Sequence, residues 1–369
     1  MLKRLFLRSA LLISSAAPIL AQDPYTQVQT VSAAVKTAMN KHGVPGVSVA
    51  VFRGFQLDWA LGYGVTSLDT KKPVDALTLF QAASISKPVA ALATMRLVQN
   101  KRLSLDRNIN EYLTSWKLPE NELTRSTPVT LRHLMSHTAG LTVHGFKGYA
   151  QGENLPTLQQ VLDGQKPANS EPVRVTVAPG TKFEYSGGGY TIMQLLLMDV
   201  THLPFPELMR AMVLDPAGMR FSTYDQPLPD HIVEFATSGH EKGKVIGGDR
   251  HTYPEMAAAG LWTTPTELAK FAIAIQRARL GLPDAILSKE LAISMTTASI
   301  PGSFGLGLEP LRPSDAEKRF FGHTGGNFGY RCMLLATLNG GNGVVVMTNG
   351  DQFEAVSQIV NAAVAAYGW

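Results

Sequence analysis

Ser84 and Lys87 are the pair whose residue types and spacing point most directly to chemistry. They lie in "ASISKPVAALATMRLVQNKRLSLD", residues 83–106. A spacing of three places both side chains on one side of a helical first turn. A serine hydroxyl needs an adjacent base to become a nucleophile, and a lysine amine removed from water loses basicity. The two residues are therefore either ordinary capping residues or a nucleophile with its activator.

The segment that follows Lys87 is apolar and predicts a largely buried helix that begins at Ser84. Backbone N–H groups and the helix dipole at such a start favour negative charge on the serine. We expect desolvation and neighbouring cations to lower the pKa of Lys87 well below its usual value of ~10.4.

A second candidate is Tyr185, which lies in "PGTKFEYSGGGY", residues 179–190. The Pro-Gly turn before it and the glycines after it predict a phenol that points into a cleft. The alternative is a core tyrosine with a satisfied hydroxyl. A phosphate-binding loop is disfavoured because no Lys-Ser/Thr pair follows Gly187–Gly189. If Tyr185 lies beside Lys87, nearby positive charge is expected to lower the pKa of its phenol.

A third candidate segment is "FFGHTGGNFGYR", residues 320–331, which contains His323, Gly325 and Gly326. A glycine pair on a strand lets a ligand approach the backbone, so a backbone N–H can donate to an oxyanion. His323 is interpreted as a cationic or polar wall of the same site, and the alternative is a satisfied surface histidine.

The elements that must position these residues lie at both ends of the chain. The front predicts a helix over residues 26–41 and strands over 47–54 and 57–64, and the end predicts three strands and a last helix over 354–367. We expect an α+β protein in which both ends build one antiparallel sheet flanked by helices. The α/β part then covers about residues 22–83 and 260–369, with a mostly helical domain, about 84–259, inserted between them.

Residues 1–21 have the pattern of a secretory signal peptide, with basic residues before a short apolar run. We expect cleavage after Ala21 and a secreted or periplasmic protein, the alternative being a retained membrane anchor. The chain has 33 basic and 29 acidic residues, and three of the basic ones belong to this leader. A mature charge of about +1 argues against a nucleic-acid partner.

Two further features have alternative interpretations. Cys332 is the only cysteine, so the chain cannot form an internal disulfide. Its thiol is either a nucleophile or, as we favour, a small apolar side chain on a strand. His133 and His137 have the spacing of zinc ligands on a helix, but the glutamate between them and a third ligand are missing. No metal or cofactor is predicted.

Together, "SISK" (residues 84–87), "YSG" (185–187) and "HTG" (323–325) resemble the three motifs of serine β-lactamases and penicillin-binding-protein-like hydrolases. The order and approximate spacing agree, and "VTLRHLMSHTAGL", "AAAGLWTTPTELAKF" and "FGLGL" are similar to family segments too. The resemblance is to class C β-lactamases, D-alanyl-D-alanine peptidases and β-lactamase-like esterases. It runs from about Val44 to the C-terminus and implies a β-lactamase/transpeptidase-like fold.

The resemblance implies an acyl-enzyme mechanism. Ser84 would attack a carbonyl, Lys87 would help to deprotonate it, and Tyr185 would carry protons to the leaving group and from the deacylating water. Either Lys87 or Tyr185 is the general base. The oxyanion and substrate-binding set that it implies comprises Ser84 and Gly326, through their N–H groups, with His323, Thr324, Gly325 and Gly187.

Two positions depart from the β-lactamase pattern. Gly187 stands where those enzymes usually have an asparagine that contacts the acylamino group of penicillins, and His323 stands where many have a lysine. In the resemblance, His133 and His137 are structural. The sequence therefore favours an exported esterase or D-amino-acid peptidase that acts on a small ester, amide or D-peptide. The alternatives are a class C-like β-lactamase acting on β-lactams and a catalytically silent penicillin- or cell-wall-binding module. After cleavage, no stable membrane insertion is expected.

Overall fold

The computed structural model describes residues 24–311 and 319–369. The predicted signal peptide, residues 1–21, lies outside the described residues. The strands are β1 (Gly46–Arg53), β2 (Gln56–Gly64), β3 (Phe80–Gln81), β4 (His240–Glu241), β5 (Lys244–Val245), β6 (Trp262–Thr263), β7 (Glu309–Leu311), β8 (Phe320–Asn327), β9 (Tyr330–Thr337) and β10 (Gly343–Thr348). The helices are α1 (Pro24–His42), α2 (Ser86–Gln99), α3 (Glu122–Ser126), α4 (Leu131–Met135), α5 (Leu158–Asp163), α6 (Gly187–Thr201), α7 (Phe205–Met209), α8 (Asp230–Val233), α9 (Met256–Ala259), α10 (Pro265–Arg279), α11 (Lys289–Thr296) and α12 (Phe353–Tyr367).

A six-stranded antiparallel sheet joins the two ends of the chain in the order β2-β1-β10-β9-β8-β7. Side chains on β1, which lies between β2 and β10, alternate between the two faces of the sheet, as the two-residue period of a strand requires. Val49 and Val51 pack in the apolar layer with α1 and α12. Ala50 and Phe52 face the larger core on the opposite side. The predicted antiparallel sheet, built by both ends and flanked by the terminal helices, is confirmed.

The larger core lies between the sheet and the helices of the middle of the chain. Residues 84–259 contain helices α2 to α9 and one short hairpin, β4–β5, while β3 pairs with β6 across this region. The proposed division into an α/β part and a helical part stays a prediction. Within the described residues, no helix is both long enough and apolar enough to cross a membrane.

The helix predicted to begin at Ser84 begins two residues later. Residues Ala83–Ile85 form a 3₁₀ turn and α2 starts at Ser86. The turn is closed by a hydrogen bond from the Ile85 N–H to the Ala82 carbonyl (3.0 Å), and Ala83 adopts a left-handed conformation with φ of 48°. Alanine rarely adopts this conformation, so surrounding packing must maintain it.

Strand β8 provides part of that packing. Cys332, on the neighbouring strand, donates from its sulfur to the Ala82 carbonyl at 3.0 Å. A Cβ atom added to Gly325 would overlap both that sulfur and the Ala82 carbonyl oxygen, whereas one on Gly326 would make only ordinary contacts with the Arg331 side chain. Gly325 therefore lets β8 lie directly against the turn that carries Ser84.

We predict that Gly325→Ala destabilises the protein by about 1–3 kcal/mol or more, because the added methyl group has no space between two packed segments. Gly326→Ala is the matched control, since its neighbouring position has room for a Cβ atom. Thermal unfolding of both variants measures the difference. Equal melting temperatures would contradict the close packing assigned to Gly325.

Candidate active site

Ser84 opens into a cavity of about 450 Å³, a size suited to a small organic ligand. From Thr78 to Met95, Ser84 is the one residue that is not fully buried. The cavity is lined by Ser84, Lys87, His144, Gly145, Phe146, Phe183, Tyr185, Ala258, Ala259, Phe304, His323, Thr324, Gly326 and Asn327. Segments from all parts of the folded chain thus converge on one hydroxyl group.

Lys87 is buried directly beneath Ser84. Its Nζ donates to the Ser84 Oγ at 3.1 Å and to the Ala258 carbonyl, on α9, at 2.8 Å. No carboxylate of the described residues forms an ion pair with it. Burial alone lowers the pKa of Lys87 to about 7, so the expected depression is confirmed. The amine is neutral in a large fraction of molecules at neutral pH.

Tyr185 reaches the same point from the residue before the N-cap of α6. The N-cap Ser186 accepts from the Gly189 N–H at 3.1 Å, and its own N–H donates to Nδ1 of His137 at 3.1 Å. The His137 ring also stacks on Tyr185, with centroids 4.1 Å apart. The Lys87 Nζ lies 5.1 Å from the centre of the phenol ring. Backbone and ring contacts thus fix Tyr185 beside the Ser84–Lys87 pair.

The expectation that cations lower the pKa of Tyr185 is wrong. Burial raises the pKa of this phenol, and the hydrogen bond with Ser84 only partly opposes the rise. Loss of solvent disfavours the phenolate. The nearby Glu309 carboxylate raises the pKa further. Tyr185 is therefore a neutral hydrogen-bond donor at neutral pH.

His323 is a neutral wall of the cavity. It is buried, and burial together with the charge of Lys87 lowers its pKa to about 3. Its Nδ1 lies 2.5 Å from the Thr324 carbonyl oxygen, so that nitrogen carries the proton and donates. A buried, neutral ring agrees with the polar wall, and it agrees neither with a cationic wall nor with the alternative of a surface histidine.

The glycines of the predicted binding set fall into two groups. Gly326 lines the cavity together with Thr324, but Gly325 and Gly187 do not. Gly325 faces the Ala82 carbonyl, as described above. A Cβ atom on Gly187 would lie 3.0 Å from Cε2 of Phe146 and 3.2 Å from the carbonyl oxygen of His144. The place of a side chain at 187 is thus already taken by the loop of residues 144–146.

Several lining residues were not found from the sequence. Asn327, at the end of β8, donates from its amide to Oε1 of Gln81 (2.7 Å) and to the Ala259 carbonyl (3.1 Å), and so ties β8 to β3 and α9. The rings of Phe146, Phe183 and Phe304 form much of the remaining surface. Phe183 lies in the segment 179–190 and Asn327 in the segment 320–331. In a sequence, however, a phenylalanine that lines a cavity cannot be distinguished from one in a core.

The alternative roles of His137 and Cys332 can be compared with their surroundings. The His137 ring is committed to Ser186 and Tyr185, and the described residues contain no group of three or more potential metal ligands. Cys332 is buried, and burial raises the pKa of its thiol. Its contact with Ala82 agrees with a packing role.

Glu255, immediately before α9, is a fully buried carboxyl group. Neither of its carboxylate oxygens has a hydrogen-bond partner among the described residues. Burial raises the pKa of Glu255 to about 7. Because α9 presents the Ala258 carbonyl to Lys87, this carboxyl group lies next to the element that holds the amine.

The comparisons with known proteins identify the family. A family model described as Beta-lactamase matches residues 31–368. The chain belongs to the beta-lactamase family. The resemblance drawn from the three motifs is thereby confirmed.

Similar curated proteins share limited identity with this beta-lactamase-family chain. A protein named Beta-lactamase from Lysobacter lactamgenus is 29% identical over 248 residues, which is 64% of this chain and 57% of that protein. Protein flp from Staphylococcus aureus strain MW2 is 23% identical over 210 residues, 56% of this chain and 40% of that protein. The chain therefore spans only about half the length of these relatives.

Solved structures confirm the fold. D-amino acid amidase from Ochrobactrum anthropi SV3, complexed with L-phenylalanine amide, has a TM-score of 0.72 at 20% identity and covers 93% of this chain and 99% of its own. The octameric penicillin-binding protein homologue from Pyrococcus abyssi has a TM-score of 0.72 at 23% identity, covering 92% and 77%. Both show the expected β-lactamase/transpeptidase-like architecture.

We predict that kcat/KM rises with pH through a midpoint near 7. Lys87 is protonated below this pH and neutral above it, and only the neutral amine can accept the Ser84 proton. Tyr185→Phe should lower the rate but keep this midpoint, because the phenol is protonated throughout. A pH–rate profile of both proteins tests this, and loss of the limb in Tyr185→Phe would assign it to the phenol instead.

Lys87→Met serves as the complementary variant, because it keeps an apolar stem and removes the amine. Positioned proton transfer contributes ~10²–10⁴-fold, so kcat should fall by that amount. A variant that loses only substrate affinity would show that Lys87 binds substrate rather than moving a proton.

A second pH prediction concerns stability. The Glu255 carboxyl ionises near 4.5 in the unfolded chain and near 7 in the folded one. Between these values the folded state holds the extra proton on Glu255, so the contribution of this group to stability falls as pH rises, by about 3 kcal/mol. The buried Lys87, His137 and His323 contribute in the opposite direction. Glu255→Gln should remove this fall, while Glu290→Gln, at an exposed position, should keep it. Parallel melting curves for wild type and Glu255→Gln from pH 4.5 to 8 would contradict the assignment.

Proposed function

We propose that this protein hydrolyses esters or amides that carry no carboxylate, through an acyl-enzyme on Ser84. The observation that carries the proposal is the Ser84–Lys87 contact: a partly exposed hydroxyl 3.1 Å from a buried amine whose pKa is about 7. This supplies a nucleophile and a matched base at the bottom of one cavity.

In the first step the neutral Lys87 amine accepts the proton of the Ser84 hydroxyl as Oγ forms a bond to the carbonyl carbon. The carbonyl oxygen becomes an oxyanion, for which the Ser84 and Gly326 N–H groups are the candidate donors. Gly326 is exposed on β8 beside the serine, so a substrate oxygen can reach its backbone.

Collapse of this intermediate breaks the bond to the leaving group, which must take up a proton. The Lys87 ammonium supplies it through the Tyr185 hydroxyl, which donates to the leaving atom and accepts from the ammonium. Water then attacks the acyl carbon and passes its proton through Tyr185 to the neutral Lys87 amine. The bond between the acyl carbon and Oγ of Ser84 breaks, and Lys87 returns the proton to Oγ. Because burial keeps Tyr185 protonated, we assign Lys87 as the base and Tyr185 as the proton carrier.

The substrate class follows from the charges in the cavity. Among its lining residues, Lys87 is the one amine, and no carboxylate or guanidinium is present. Penicillins and D-alanyl-D-alanine peptides carry a carboxylate, which a neutral His323 cannot pair with. The Phe146 ring also occupies the space that a side chain at position 187 would need, so the asparagine amide of the β-lactamase pattern has no room there. These features support an esterase or D-amino acid amidase over a β-lactamase.

A β-lactamase is the second candidate, and its support is the 29% identity to the Lysobacter lactamgenus protein of that name. A catalytically silent penicillin- or cell-wall-binding module is the third. The intact contact between Ser84 and Lys87, and the placement of Tyr185 beside them, argue against the silent module. Export through residues 1–21 is a further part of the proposal and rests on the sequence pattern alone.

We predict that the purified protein hydrolyses ethyl butyrate or a D-amino acid amide, and nitrocefin at least about 100-fold more slowly. Ser84→Ala should abolish turnover and leave the melting temperature unchanged, because the side chain lies at the cavity surface. Mass spectrometry of the quenched reaction should show an acyl group on the peptide that contains Ser84.

The matched control is Ser104→Ala, an exposed serine outside the cavity. Ser86 is unsuitable as a control because its hydroxyl donates to the Ala83 carbonyl and accepts from the Leu261 N–H. Undiminished hydrolysis by a folded Ser84→Ala protein would refute the mechanism. Nitrocefin as the best of the three substrates would establish the β-lactamase instead.

A further inference from the structure

Three phenylalanines from separate segments contribute rings to the cavity around Ser84. Phe146 lies in the loop before α5, Phe183 two residues before Tyr185, and Phe304 in the loop after α11. The proposed mechanism uses none of them. Rings grouped beside a nucleophile have to contact some part of the substrate, so they bear on which substrate fits.

Phe183 and Phe304 form a fixed pair. Their rings are parallel within 5°, with centroids 5.5 Å apart. Phe304 is buried and also meets the edges of His137 at 5.2 Å and His323 at 5.4 Å. Packing on several sides prevents these two rings from collapsing into the cavity, so their surface is available to a ligand without rearrangement.

Phe146 is held in place by a backbone hydrogen bond of its loop. The Gly187 N–H donates to the His144 carbonyl at 3.0 Å, which draws the loop against the start of α6. Because Gly187 has no side chain, the Phe146 ring occupies the space beside it. The glycine thus explains why an aromatic ring stands at this edge of the cavity.

We propose that Phe146, Phe183 and Phe304 form an acyl pocket that selects substrates with an aromatic ring on the acyl side, such as arylacetyl esters or amides of aromatic amino acids. The proposal rests on the acyl-enzyme function above and names its substrate class. Aromatic pairs gain energy beyond the apolar area that they bury, so a phenyl ring should be preferred to a saturated ring of similar size by roughly 2- to 10-fold.

The test compares ethyl phenylacetate with ethyl cyclohexylacetate. Both esters release ethanol, which has no ring that could compete for the pocket. Each kcat/KM is divided by the rate of hydroxide hydrolysis of the same ester, which removes intrinsic reactivity. The wild-type ratio should be about 2–10 in favour of the phenyl ester. Phe183→Leu and Phe304→Leu should bring it close to one, and Gly187→Ala should lower it by displacing Phe146.

Phe221→Leu is the matched control, because this phenylalanine is 58% exposed and does not line the cavity. Its ratio should equal that of the wild type. A wild-type ratio near one, or a ratio that is unchanged in both cavity variants, would overturn the proposal.

A binding measurement separates this proposal from the proposed function. Phenylacetamide and cyclohexylacetamide are titrated into folded Ser84→Ala protein, which cannot form an acyl-enzyme. Tighter binding of the phenyl compound, lost in Ser84→Ala/Phe304→Leu, supports the pocket even if no ester is hydrolysed. Equal binding refutes the pocket while leaving Ser84-dependent hydrolysis intact.

Discussion

The desolvation of one amine is the constraint on which the rest of this structure depends. A lysine ammonium group deprived of water and of a carboxylate is costly to bury, and its charged form is disfavoured. Lys87 has two hydrogen-bond acceptors, the Ser84 hydroxyl and the Ala258 carbonyl, with the faces of Tyr185 and Tyr190 nearby. These groups accommodate the amine without fixing its charge. The resulting pKa near 7 allows the same nitrogen to accept a proton and later to return it.

Holding that arrangement requires parts of the chain that are remote in sequence. The turn that carries Ser84 is fixed on one side by β8 and β9, through a contact between Ala82 and Cys332, 250 residues apart. On the other side, the Ala82 N–H donates to the Leu261 carbonyl beyond α9. The left-handed Ala83 persists between these two supports. A sheet made jointly by both ends of the chain is therefore a requirement of the site, because only that sheet brings β8 to the turn.

The sequence predicted well those features that depend on spacing and on periodicity. The Ser84–Lys87 separation and the Tyr185 and His323 motifs led to residues that the fold brings to one cavity. The predictions that failed depend on how deeply a residue is buried, which the sequence does not show. The phenol was expected to be acidic from its neighbouring charges, but desolvation dominates. Gly325 was assigned to ligand binding, but in the fold its lack of a side chain allows β8 to pack against the turn that carries Ser84.

The absence of a fixed charge extends from the amine to the two buried histidine rings and the phenol beside it. Burial, and to a lesser extent the charge of Lys87, lowers the pKa of His137 and His323, so both rings are uncharged while Tyr185 keeps its proton. A site built from neutral polar groups has low affinity for ions, because it cannot replace their hydration. It can still stabilise an oxyanion that forms only during the reaction, since preorganised N–H donors act on charge as it develops. The proposed selection against a carboxylate in the substrate and the proposed stabilisation of charge in the transition state therefore both depend on keeping water away from Lys87.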